Sequence, residues 1–116
     1  MILRRGEIYW VDFTPSRGSE QRGLRPALVI QSDIPNAVAA YPMTIVLPLS
    51  TQIKNYKSHV LVAPDSQNGL SSPSEVLTGQ IVSIDKGRLG DRIGKLSDGD
   101  IRRVNETLAY MLSLGS

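Results

Sequence analysis

The chain has 116 residues, 41% of them hydrophobic and 21% charged, with a net charge of only +2. That suits one globular domain burying roughly two-thirds of its unfolded surface, and it is too apolar for a disordered chain. The absence of cysteine and the presence of one histidine, His59, exclude disulfides, thiolate nucleophiles and the common zinc sites.

Charge is unevenly spread. Residues 1–57 hold seven Arg and Lys against four Asp and Glu, whereas residues 58–116 hold six against seven. No apolar run approaches the ~20 residues of a membrane span, and MILRRGEIYW lacks a signal-peptide core, so a soluble cytoplasmic protein is expected.

Glu7 to Phe13 alternates like a strand, with Ile8, Trp10 and Asp12 on one side and Tyr9, Val11 and Phe13 on the other. Thr14-Pro15-Ser16 ends it, because proline cannot donate to a ladder. A polar loop follows that carries Arg17, Glu20, Gln21, Arg22 and Arg25. PALVIQ (26–31) and MTIVLPL (43–49) read as buried strands, the latter with an edge or bulge near Pro48. SHVLVA (58–63) is a fourth strand. EVLTGQIVSI (75–84) is a fifth, bent or bulged at Gly79.

The period then changes to that of a helix. Ser97, Asp98 and Asp100 suit an N-terminus, and Ile101, Val104, Leu108 and Leu112 recur on one face, so Ser97 to Leu114 is an amphipathic helix closed by Gly115. Five short strands and a late helix predict a mostly β (α+β) domain, a small antiparallel barrel or sandwich spanning residues 1–116 as one unit. GDRIGKL (90–96) has three residues between its glycines where a phosphate loop has four, and Leu96 where that loop needs a hydroxyl; it reads as a turn.

Several residues invite chemistry, each beside a plainer reading. Pro26 biases Arg25 to an extended backbone, which gives its guanidinium a defined direction and a fork matched to phosphate oxygens. A surface arginine lying over apolar neighbours would look the same. Ser50-Thr51-Gln52 places two hydroxyls at a strand end, where they equally serve to bond their own backbone. Glu20 could pair with Arg17 or Arg22. Trp10 could belong to the core, and His59 could be a packed or surface histidine. Lys54, Asn55, Tyr56 and Lys57 form a basic loop with an aromatic, able to hold single-stranded RNA or simply to be solvated. No G-x-S-x-G elbow is present, and two histidines for acid–base cleavage of RNA cannot be assembled in one subunit.

Taken together, RGEIYWVDF (5–13), GSEQRGLRPALVIQSD (18–33), PLSTQIKNYKSHV (48–60) and GQIVSIDKGRLGDRIGKL (79–96) resemble the MazF/PemK family of toxin endoribonucleases over nearly the whole chain. The resemblance implies an SH3-like, CcdB-like barrel with a C-terminal helix, working as a homodimer. It implies metal-independent and cofactor-independent cleavage of single-stranded RNA at short motifs, with 2′,3′-cyclic phosphate and 5′-OH ends, and a partner antitoxin, for which an acidic flexible tail is the natural inhibitor.

The family's arginine falls on Arg25. Its hydroxyl, usually threonine, falls on Ser50, with Thr51 adjacent. Glu20 is a possible base. Ser19, Glu20 and Gln21 match positions beside the RNA, and Gln80 matches a base-reading glutamine. Trp10, Arg17, Arg22, Gln52, Lys54, Tyr56 and His59 complete the expected RNA contacts. The competing functions are a non-enzymatic, CcdB-like gyrase poison and a catalytically silent RNA-binding barrel.

Overall fold

The computed structural model describes residues 2–14, 18 and 23–115. Alternation of apolar side chains builds β1 (Glu7–Asp12), β2 (Leu24–Val29), β3 (Met43–Ser50) and β4 (His59–Val62). The predicted fifth strand is two, β5 (Ser74–Leu77) and β6 (Val82–Asp85), both antiparallel to β3. Between the pairs Val46↔Val82 and Leu49↔Val76 lie two residues of β3 and five of the opposing chain. The extra residues loop out around Gly79, which locates the expected bend and widens it into a break. Pro48, which has no N–H to offer a ladder, sits at that break.

A short helix, α1 (Asp33–Ala37), precedes β3, and a single 3-10 turn (Lys86–Arg88) follows β6. The stretch read as a turn is instead a strand, β7 (Leu89–Lys95), antiparallel to β1 with two register shifts. Gly94 reflects a close approach: a Cβ there would collide with the backbone of Gln67 and Asn68. Lys95 also donates its N–H to Gln67 O at 3.0 Å. The sheet order is β4-β5-β3-β2-β1-β7. The turn after β4 therefore meets the other edge strand, which curls the sheet into the expected barrel-like form.

Both sheet faces are apolar. Ile8, Leu28, Leu47, Leu49, Val60, Val62 and Val76 form one cluster with Leu96 and Val104. Tyr9, Val11, Phe13, Ala27, Val29, Val46 and Ile84 form the other. The helix α2 (Asp98–Leu112) covers the first cluster. Ser97 caps it by accepting from Asp100 N–H, and Ser113 ends it in a left-handed conformation. Ile101, Val104 and Leu108 meet the core, but Leu112 is half exposed, so the apolar stripe leaves the core one turn early. Among the described residues, no helix is long and apolar enough to cross a membrane.

Candidate functional site

The ladder geometry gathers the site. β2 and β3 pair as far as Ala27 and Pro48, and Arg25 and Ser50 each lie two residues beyond that pair, towards the same end of the ladder. On its other edge, Ser50 pairs with Glu75 of β5, which in turn pairs with Leu61 of β4. Directly opposed residues of antiparallel strands project to the same face. Ser50 and Glu75 therefore form one cross-strand row on the face opposite α2, and alternation along β2 puts Arg25 on that same face. In the next row Leu77 lies against His59.

Beyond β3 the chain folds back over this face. The result is a cavity of ≈ 160 Å³ lined by Ser50, Gln52, Lys54, Tyr56, His59, Leu77 and Gln80. Six residues singled out in the sequence thus share one depression. The tilted Tyr56 and His59 rings are 5.0 Å apart at their centroids, a favourable aromatic separation. Ser50 Oγ accepts from Gln52 N–H at 3.1 Å, so the local turn aims the hydroxyl as well as satisfying it. Thr51 is exposed, just past the end of β3, and is not among the residues that line the cavity.

Arg25 is exposed at the start of β2, and no described residue bonds to its guanidinium. It is a fixed cation whose fork is available to a ligand. Trp10 is half exposed but pairs with Pro26, which puts it on the other side of the sheet from Arg25 and away from the cavity. Arg17, Ser19, Glu20, Gln21 and Arg22 lie outside the described residues.

Behind the lining residues Lys54 and His59 lies an acid that no sequence motif marks. Glu75 is 1% exposed. Oε1 accepts from Lys54 N–H at 3.0 Å and lies 2.9 Å from His59 Nδ1, and Oε2 accepts from Asn55 N–H at 2.9 Å. Burial pushes this carboxyl up. The hydrogen bonds from Lys54, His59 and Asn55, with the attraction of His59, outweigh burial and hold it below the usual carboxylate range. Asn55 adopts a left-handed backbone, φ 58°, which asparagine tolerates and which turns two successive N–H groups onto one carboxylate. The available signal was a lone acid opening an otherwise apolar strand.

These features define a class: a small curved β domain that presents on one face an arginine with no bonded partner among the described residues, a hydroxyl and an aromatic, amide-lined cavity. The chain belongs to the PemK-like, MazF-like toxin family of type II toxin–antitoxin systems, whose family model matches residues 4–112. It is 42% identical over 115 residues to endoribonuclease EndoA of Bacillus subtilis, covering 98% of this chain and 97% of the relative. It is 36% identical over 115 residues to endoribonuclease MazF of Staphylococcus saprophyticus, covering 97% and 93%. The crystal structure of MazF from Deinococcus radiodurans superposes with a TM-score of 0.81 at 27% identity, over 98% of this chain and 99% of that one.

Proposed function

We propose that this toxin is a metal-independent endoribonuclease that cuts single-stranded RNA at a short sequence motif. The observation that carries the reading is the placement of Arg25 and Ser50 on one sheet face at the same end of β2 and β3, with Ser50 lining the aromatic cavity. Two of its relatives, both named endoribonucleases, support it.

The reaction needs no protein nucleophile. The ribose 2′-OH attacks its own phosphodiester, and the 5′ oxygen leaves with a proton to give a 2′,3′-cyclic phosphate and a 5′-OH end. Negative charge grows on the phosphoryl oxygens during attack, and Arg25, fully charged at cellular pH, stabilises it where it develops. The Ser50 hydroxyl hydrogen-bonds a phosphate oxygen and holds the in-line arrangement. Ser50 is preferred to Thr51 because it lines the cavity and Thr51 does not. Glu20 is the candidate base. The high pKa of a guanidinium makes Arg25 an electrostatic partner and a poor formal acid.

Arg17, Ser19, Gln21 and Arg22 hold the RNA strand, while Gln52, Lys54, Tyr56, His59 and Gln80 receive a splayed base by stacking and edge contacts. The toxin works in the cytoplasm as a homodimer, the groove between subunits lengthening its grip on RNA. An antitoxin with an acidic flexible segment restrains it by competing for the arginines. A gyrase-poisoning toxin would have no use for the Arg25–Ser50 pair.

Incubation of purified protein with an oligoribonucleotide library, followed by sequencing and end analysis, tests the reading. Discrete cuts with 5′-OH ends, unchanged in EDTA, are expected. Absence of cutting, or dependence on added magnesium, overturns it.

A further inference from the structure

Glu75 is a buried acid behind the cavity wall, bonded to the lining residues Lys54 and His59, for which the cleavage chemistry has no use. Loop anchoring alone does not explain a carboxylate there. Its two oxygens face three donors' worth of partners: the N–H groups of Lys54 and Asn55, and His59 Nδ1. An ionised carboxylate only accepts, so a ring nitrogen 2.9 Å from it must carry the proton. The second ring nitrogen is then fixed as well. His59 lines the cavity, its side chain is 11% exposed, and Nε2 bonds to no described residue.

We propose that Glu75 is a positioning residue that locks His59 in the Nδ1–H tautomer, so that Nε2 offers a fixed hydrogen-bond acceptor to one RNA base in the cavity. The inference rests on the endoribonuclease reading and adds a specificity element to it. A neutral imidazole held this way selects a base edge bearing an N–H donor, such as an exocyclic amine, and disfavours an edge that only accepts. Tyr56, 5.0 Å from the His59 ring, supplies an aromatic neighbour for the same base. The Gln52 and Gln80 amides, able to donate or accept, impose no such choice alone.

The test uses a convenience of composition: His59 is the only histidine in the chain, so the imidazole nitrogen NMR spectrum of tag-free protein reports this ring alone. The wild type is expected to show Nδ1–H at neutral pH. Glu75→Gln places an amide NH2 among the donors and is expected to shift the ring towards Nε2–H. In sequenced cleavage products, Glu75→Gln should relax base preference at a single position of the motif by about tenfold, the worth of one edge contact. Preferences at other positions should hold, and His59→Ala should lose the same position.

A wild-type Nε2–H tautomer overturns the proposal. So does a Glu75→Gln enzyme slowed uniformly with its base preferences intact, the mark of a mere loop anchor. The wild-type spectrum and the His59→Ala profile decide the matter even if Glu75→Gln fails to fold. A wild type that cuts no RNA brings down the endoribonuclease reading together with base selection, whereas an active wild type with unaltered variant preferences brings down this inference alone.

Discussion

The two ends of β3 are both built on buried polar groups, and they are finished differently. At the Met43 end, Asn36 Oδ1 accepts from Gln31 Nε2 and from Thr44 Oγ1, each at 2.9 Å, and Asn36 Nδ2 donates to Gln31 O at 2.9 Å. Lys86 Nζ reaches the carbonyls of Pro35, Asn36 and Val38 at 3.0–3.2 Å, closing the end of α1. Asn36, Gln31 and Thr44, all neutral and buried, exchange bonds among themselves, and the charge nearest them, on Lys86, is met by backbone carbonyls. At the Ser50 end, an ionised Glu75 organises a loop and a histidine whose other edge opens into a cavity, beside an arginine with no described partner. A closed neutral network stabilises; a charged one with an open edge is arranged for something that arrives. That contrast separates stability from activity and can be broken by mutation.

The largest effect should come from Arg25→Ala. Removal of one donor from a developing oxyanion costs about 10²–10³-fold in rate. The side chain is exposed, so the melting temperature should stay at the wild-type value. Rate and thermal melts measured on the same preparation check both halves, and an active variant would erase the functional end of the comparison. Asn36→Ala should do the reverse. It takes the acceptor from Thr44 Oγ1 and the donor from Gln31 O, leaves Gln31 Nε2 with Met43 O, and should cost about 2–3 kcal/mol of stability in urea denaturation, while the folded fraction cuts RNA normally.

A smaller effect divides the two hydroxyls. Ser50→Ala removes one hydrogen bond to a charged phosphate, worth about tenfold or somewhat more in rate. Thr51→Ala, outside the cavity lining, should stay within about twofold. Side-by-side assays decide; a larger loss in Thr51→Ala would mean that Thr51, and not Ser50, meets the phosphate.

What the sequence made legible follows from how far each signal reaches. Glu7 to Phe13 and the C-terminal helix declared themselves through period 2 and period 3.6, which are local properties. So did Arg25, through its proline, and the hydroxyls at the end of MTIVLPL. The helix α1 escaped because it is five residues long with Pro35 inside it, too short for any period. The strand β7 escaped because its glycines and charges imitate a turn; Gly94 is there for the backbone of residues 67–68, a contact no local pattern encodes. Glu75 escaped for the same reason. Its partners lie 16 to 21 residues away, and only pairing of β4 with β5 and the return of the 51–58 loop bury it. Trp10 was placed among RNA contacts by resemblance, while the β1–β2 register puts it on the opposite side of the sheet.

The smallest effect sharpens the comparison through pH. Asn36, Gln31 and Thr44 do not titrate, so the destabilisation caused by Asn36→Ala should be the same in neutral and acidic buffer. Glu75 behaves otherwise. Its carboxyl is held below the ordinary range in the folded protein, so the folded state favours the ionised form, and stability is gained above the unfolded-state pKa. As pH falls through the ordinary carboxylate range towards the lowered folded value, that contribution disappears. Glu75→Gln, which has no such charge to lose, should therefore differ most from wild type at neutral pH and converge on it in acid. Urea midpoints for the two variants across that range read the effect directly. A Glu75→Gln deficit that persists unchanged in acid would mean that the Ser50 end of β3 is held by shape, as the Met43 end is, and not by an ionised carboxylate.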